Sequence, residues 1–155
     1  MSRALLPLLL ALFALLAPPP AGAAPGDAAG AGLVASHGWV RQTPPNRTVA
    51  AAYLRLENAG ARSRALVGAE SDRARVELHT MLREDGMMRM RPLDRLELPA
   101  GGAVELAPGG AHLMLFDVDA TRAGTLVELE LLFADGGRLA VTLPVRGNAP
   151  ATEED

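Results

Sequence analysis

The chain has 155 residues, 49% of them hydrophobic, with a formal net charge of −3 and no cysteine. This length suggests one domain, and the slightly acidic balance lacks the broad basic footprint of a nucleic-acid-binding protein. Without cysteine the chain has no disulfides, thiolate zinc sites, cysteine nucleophiles or cysteine-ligated iron–sulfur clusters. It also has no lysine, which excludes Schiff-base chemistry and a phosphate-loop lysine.

Residues 1–23 have the pattern of a signal peptide. Arg3 precedes an uncharged, leucine-rich run over residues 4–17, three prolines follow, and Ala21-Gly22-Ala23 is typical of a cleavage site. Because the run is shorter than the roughly 20 apolar residues of a membrane span, we expect cleavage before Ala24 rather than a retained signal anchor. The mature protein is then expected in the periplasm, with no membrane span.

The rest of the chain divides into a linker, a domain and a tail. Residues 24–32 are small and are expected to form a flexible linker, and residues 147–155 end in three acids and are expected to form an acidic disordered tail. Between them apolar and polar residues alternate in short runs: 52–57, 75–80, 95–98, 103–106, 112–116, 126–133 and 138–145. Turn residues recur between these runs, which predicts an all-β sandwich of about seven to nine strands over residues 33–146.

Methionine and histidine are concentrated in one part of the domain. Apart from Met1, all five methionines lie between residues 81 and 114, together with His79 and His112. Strand geometry puts His79 and Met81 on one face of their strand, and His112 and Met114 on one face of another. Met90 lies in a methionine-rich segment that we predict to be a loop closing over these donors. If the two strands are neighbours, the donors converge.

Each of these residues has an ordinary alternative interpretation, because methionine fills cores and a single histidine is commonly a surface residue. The joint pattern argues against it, since leucine and valine already supply the core face of both strands. Thioether and imidazole without carboxylate or thiolate form a donor set suited to Cu(I), and the absence of cysteine excludes a blue-copper electron-transfer site. The pattern therefore indicates a copper carrier rather than a redox enzyme.

The spacing of these donors resembles a known family. His79, Met90, His112 and Met114 reproduce the H-x10-M-x21-H-x-M motif of the PCu(A)C periplasmic copper chaperones, and the flanking segments 86–92, 98–102 and 108–115 are similar as well. The resemblance implies a cupredoxin-like, immunoglobulin-like β-sandwich that holds one Cu(I) through these four residues. It also implies delivery of copper to the CuA centre in subunit II of cytochrome c oxidase, sometimes beside Sco-type thiol proteins. We expect a monomer that is not an enzyme.

Two other functions remain open at this point. A copper enzyme of the polysaccharide-cleaving kind needs a histidine at its mature N-terminus, whereas cleavage before Ala24 leaves His37 as the nearest one. A metal-free adaptor or adhesion module would use the methionines for packing alone. Met81, Met87 and Met88 lie outside the motif and are interpreted as auxiliary or transfer ligands. His37 is interpreted as a surface residue, and the arginines at 73–95 as a solvated face or a docking surface.

Overall fold

The computed structural model describes residues 32–118 and 122–147. The predicted signal peptide, all but the last residue of the predicted linker and all but the first residue of the predicted acidic tail lie outside the described residues. Within the two described ranges, no helix is long and apolar enough to cross a membrane. Ten strands are found in them: β1 Leu33–Arg41, β2 Val49–Asn58, β3 Arg64–Glu70, β4 Arg75–Glu84, β5 Met87–Pro92, β6 Leu96–Leu98, β7 Ala103–Leu106, β8 His112–Phe116, β9 Leu126–Phe133 and β10 Arg138–Arg146.

The strands form two sheets that face each other. One sheet has the order β5-β4-β8-β2-β1, with β7 paired to the second half of β2, and the other has the order β10-β9-β3-β6. Parallel pairing of β1 with β10, at Val40–Val145 and Arg41–Arg146, joins the sheets into one continuous path. The predicted all-β sandwich is confirmed, with one strand more than the upper end of the expected range.

The core between the sheets is built mainly of leucine. Alternation along each strand sends every second side chain inward, so β2 supplies Leu54 and Leu56 and β8 supplies Leu113 and Leu115, all at most 2% exposed. The opposite sheet contributes Leu66 and Leu131 among others. Leu78 fills the inner face of β4, as predicted. The side chains on the outer faces of β4 and β8 are therefore not needed to fill the core between the sheets.

The prediction of a loop around Met90 was wrong, because Met87–Pro92 is the edge strand β5. Asp85 and Gly86 form the two-residue turn from β4, both with positive φ (49° and 80°), as a type I′ hairpin turn requires. The short turn fixes the register, so Met90 pairs with Met81. Strand β3 was missed as well, since its sequence RALVGAE does not alternate between apolar and polar residues, and its register on β9 is interrupted between Leu66 and Gly68.

A bulge in β1 sets the path of the chain beside the site. The register of β1 on β2 shifts between Ser36 and Trp39, and His37 within it has φ 53°. A Cβ on Gly38 would lie 2.3 Å from Cδ2 of Leu143, so this position is sterically restricted to glycine in the present packing. Beyond the bulge, Trp39 pairs with Tyr53 and carries β1 toward the donors.

Candidate metal centre

The register of three adjacent strands gathers the four motif residues on the outer face of one sheet. On the antiparallel pair β4–β8, His79 is directly opposite His112, and Glu77 is opposite Met114. On the hairpin β4–β5, Met81 is opposite Met90. Directly opposed residues share a face, and so do residues two apart along a strand. His79, Met90, His112 and Met114 therefore all lie on one face, although the two histidines are 33 positions apart in the sequence.

The two histidine rings are buried on this face, 8% and 4% exposed for His79 and His112, with ring centroids 6.2 Å apart. Phe116 lies 6.2 Å from the His79 ring, and Tyr53 lies 6.3 Å from the His112 ring. Trp39 packs on Tyr53 at 4.7 Å. Aromatic side chains thus wall the imidazoles on both sides, which restricts the rotation of each ring.

His112 is oriented by the backbone. Its Nδ1 lies 2.9 Å from the carbonyl oxygen of Gly110, and because a carbonyl can only accept, Nδ1 carries the hydrogen and donates it. The bend just before β8 therefore fixes the tautomer in which Nε2 has a free lone pair. A metal-binding histidine commonly has this arrangement, with one nitrogen held by an acceptor and the other left for the ion.

His79 is oriented by a side chain instead. Its Nε2 lies 2.8 Å from Oε2 of Glu77, and Arg75 donates to the other carboxylate oxygen, Oε1. The hydrogen bond from His79, followed by the positive charge of Arg75, lowers the pKa of Glu77 below its ordinary value, so the carboxylate is ionised and accepts from Nε2–H. Nδ1 of His79 is then left buried with no hydrogen-bond partner among the described residues. A buried nitrogen of this kind is costly unless a ligand occupies it.

A cleft of about 340 Å³ opens over these strands. Its lining includes Met81, Met90, His112 and Met114, with Tyr53 at its inner wall. His79 is not part of the lining and lies beside the cleft, across from His112. Three of the four motif residues thus reach the cleft surface directly. Met81 reaches it as well, although it lies outside the motif.

The other sequence candidates divide by sheet face. Met88 lies two residues from Met90 and therefore shares the face of the site, whereas Met87 lies on the opposite face. His37 is exposed in the β1 bulge and hydrogen bonds to Ser36, as expected of a surface histidine. Of the arginines between residues 73 and 95, four form ion pairs with neighbouring glutamates: Arg75, Arg89, Arg91 and Arg95. These pairs favour the solvated-face interpretation for most of the arginine cluster.

The chemistry of the donor set is soft and neutral. Among residues 32–118 and 122–147, no group of three or more histidine, cysteine or carboxylate residues could hold a metal. Two imidazoles and two thioethers carry no charge, which suits a singly charged soft ion and suits Zn²⁺ or Mg²⁺ poorly. The unpartnered nitrogen of His79 and the fixed tautomer of His112 fit such an ion. Glu77 and Gly110 were missed from the sequence, although Glu77 stands two residues before His79 and so shares its face.

Known proteins resemble this chain in both sequence and fold. The family model described as "Putative lipoprotein LpqE-like" matches residues 33–145. "Putative lipoprotein Lxx21020" of Leifsonia xyli subsp. xyli is 33% identical over 125 residues, covering 79% of this chain and 74% of that protein. Among solved structures, the copper-bound PCuAC domain from PmoF2 is 26% identical with a TM-score of 0.63, covering 76% of this chain and 94% of that domain. The solution structure of CuI-DR1885 from Deinococcus radiodurans is 32% identical with a TM-score of 0.59, covering 74% and 78%.

These similarities extend over nearly the whole described domain and include both sequence and fold. The cupredoxin-like β-sandwich expected from the sequence is confirmed by the PCuAC neighbours. The chain belongs to the LpqE-like family, and its domain is PCuAC-like.

Proposed function

We propose that this protein is a periplasmic copper chaperone that binds one Cu(I) through His79, Met90, His112 and Met114 and has no enzymatic activity of its own. Two structural neighbours are named as copper-bound and Cu(I)-bound proteins, which supports copper as the cargo. The observation that carries the proposal is the convergence of four neutral donors on one sheet face, with one buried imidazole nitrogen left unpartnered. Soft, uncharged ligands favour Cu(I) over the divalent ions.

The test is an anaerobic Cu(I) titration of residues 24–155 against a coloured Cu(I) chelator. We expect the wild type to withdraw one copper per chain and the Met90→Leu/Met114→Leu variant to lose that ability. Met87→Leu is the matched control, because Met87 is on the same strand as Met90 but on the opposite face. Equal withdrawal by the wild type and the double variant would contradict the proposal and favour a metal-free adaptor module.

Release of copper is proposed to proceed by exchange of thioether ligands. Met81 lines the cleft beside Met90, and Met88, 49% exposed, lies on the same face toward the hairpin turn. Ligands from the protein that receives the copper would displace the thioethers of Met90 and Met114 one at a time from the exposed side, with Met81 and Met88 as auxiliary transfer ligands. We expect Met81→Leu and Met88→Leu to slow transfer to a competing chelator while leaving the stoichiometry at one copper.

The proposed client is the CuA centre in subunit II of cytochrome c oxidase, and Sco-type thiol proteins are proposed as further partners in its assembly. The copper-loaded protein is mixed with the separately purified soluble domain of subunit II, the two are separated, and copper is determined in each. Copper should move to the subunit II domain and should stay behind when the cysteines of its CuA site are replaced. Retention of all copper by the chaperone would exclude this client while leaving the copper site intact.

A periplasmic location is proposed from the signal-like N-terminus together with the lipoprotein names of the family and the relative. N-terminal sequencing of the exported protein should find Ala24 as the first residue. A mature chain that starts with a histidine would instead favour the copper-enzyme alternative.

A further inference from the structure

We propose that Glu77 is a positioning residue for the copper site, which fixes His79 as a ligand through Nδ1, whereas His112 is fixed as a ligand through Nε2. The inference rests on the proposed function and assigns a role to a side chain outside the four-residue motif. It follows from the hydrogen bonds of the two imidazoles, which differ in which nitrogen is held.

Each imidazole ring has one hydrogen-bond acceptor beside it. Oε2 of Glu77 lies 2.8 Å from Nε2 of His79, and the Gly110 carbonyl lies 2.9 Å from Nδ1 of His112. Each acceptor binds one ring nitrogen through its hydrogen and so leaves the lone pair on the other nitrogen. Nδ1 of His79 is buried and has no partner within the described chain, as expected of an atom reserved for an external ligand.

Glu77 is itself held in place by neighbouring side chains. Its carboxylate is shared between His79 and Arg75, and the guanidinium of Arg75 stacks on Phe116 at 4.2 Å from the ring centroid. Phe116 in turn lies beside the His79 ring, at 6.2 Å. Arg75, Glu77 and Phe116 thus form a closed set of contacts around His79. Without these contacts, the side chain of Glu77 on an open strand surface would be free to rotate away from His79.

The sheet contains a matched pair that has the same local pattern without a histidine. Arg55 and Glu57 are also two residues apart on a strand, are bridged at 2.9 Å, and have comparable side-chain exposure of 43% and 48%. Glu57→Ala therefore removes an equivalent ion pair elsewhere on the same sheet. Its effects measure the loss of a surface glutamate as such.

The experiment measures the tautomer of each histidine in the copper-free, ¹⁵N-labelled protein by long-range ¹H–¹⁵N correlation at about pH 8, where imidazole is ordinarily neutral. Wild-type His79 should carry its hydrogen on Nε2 and His112 on Nδ1. Glu77→Ala should remove the preference at His79 alone and weaken Cu(I) affinity about tenfold to a hundredfold, as loss of an outer-shell partner does. Glu77→Gln, whose amide oxygen still accepts, should restore the tautomer, and Glu57→Ala should change neither quantity.

Failure of this role and failure of the copper site give different results. A wild-type His79 with its hydrogen on Nδ1, or a Glu77→Ala protein with unchanged tautomer and affinity, would overturn the role of Glu77 while copper binding persisted. The expected tautomers in a wild type that withdraws no copper would overturn the proposed function itself. The unchanged tautomer of His112 in the Glu77 variants reports that the sheet is still folded.

Discussion

Asn58 and His79 are both buried polar residues of the same sheet, but their hydrogen bonding differs. Asn58, 1% exposed at the end of β2, donates to the carbonyls of Arg62, Leu98 and Pro99 and accepts from the backbone N–H of Gly60. His79, 8% exposed, has one ring nitrogen bonded and the other without a partner in the described chain. A saturated buried group holds the structure together, whereas an unsaturated one marks a place that an external ligand completes.

The strongest test of the difference between His79 and Asn58 is His79→Leu, which substitutes an apolar side chain of similar size. Cu(I) affinity should fall at least about a hundredfold, the upper end of what the loss of an outer-shell partner costs. The free energy of unfolding should change little, because the variant loses the hydrogen bond to the solvent-accessible Glu77 but also removes a buried nitrogen that has no partner. Chelator competition and urea unfolding measure the two quantities on the same sample. A variant that is clearly less stable but binds copper normally would make His79 a structural residue.

A second variant sharpens the division between the two faces of β8. Leu113 is fully buried on the inner face, between His112 and Met114 in sequence. Leu113→Ala should lower the free energy of unfolding by about 2–5 kcal/mol through the lost contacts and the cavity, while the folded fraction keeps its copper affinity. Met114→Leu, one residue away, should cost less than about 1.5 kcal/mol and weaken copper binding. The opposite assignment of effects would show that the two faces do not have separate roles.

Asn58→Ala tests the saturated member of the comparison. The variant removes the hydrogen bonds that join the end of β2 to Leu98, at the end of β6, and to Pro99 just after it, including the buried bond to the Leu98 carbonyl. We expect a loss of about 1–3 kcal/mol in the free energy of unfolding, measured by urea denaturation. Copper affinity should be unchanged, since Asn58 is five residues beyond Tyr53, roughly 16 Å along the strand. A weakened copper site would mean that the two ends of β2 are coupled.

The sequence predicted a role for His79 but none for Asn58. The alternation of β4 and β8 was sufficient to assign Leu78, Leu113 and Leu115 to the core and the histidines and Met114 to the outer face. The pairing of His79 with His112 was not predictable in this way, because it joins strands that are far apart in the chain and depends on the whole sheet order. Asn58 gave no signal either, since its partners lie both in the β2–β3 connection and at the end of β6, which is distant in the sequence.

Strand β5 was predictable in principle. Asp85-Gly86 is a strong hairpin signal, and the residues after it alternate between methionine and arginine. The strand was missed because all six of its residues are exposed, so the segment has none of the buried apolar positions that usually identify a strand. The role of Glu77 was missed for a similar reason. Its spacing from His79 is visible in the sequence, but the unpartnered nitrogen of His79, which makes that spacing significant, is seen only in the structure.

The smallest expected effect concerns a third polar cluster, an ion pair whose carboxylate is open to solvent. Arg64 on β3 donates a hydrogen bond from Nη2 to Oδ1 of Asp135 in the β9–β10 turn at 2.9 Å, and its Nε lies 2.8 Å from Oδ2. The hydrogen bond from Arg64, with that from the backbone of Gly137, lowers the pKa of Asp135 below its usual 3.8. A carboxyl whose pKa is lowered in the folded protein stabilises the fold at any pH above its pKa in the unfolded chain. This stabilisation is lost as the pH falls through the pKa of the folded state. The side chain of Asp135 is 52% exposed, so Asp135→Asn should cost under about 1 kcal/mol at pH 7. Urea unfolding of both proteins should show this difference disappearing well below pH 3.8 and shrinking in about 1 M salt. A difference that persists in acid would mean that the charge of the carboxylate does not stabilise the turn. The backbone hydrogen bond of the side chain would then account for the stabilisation.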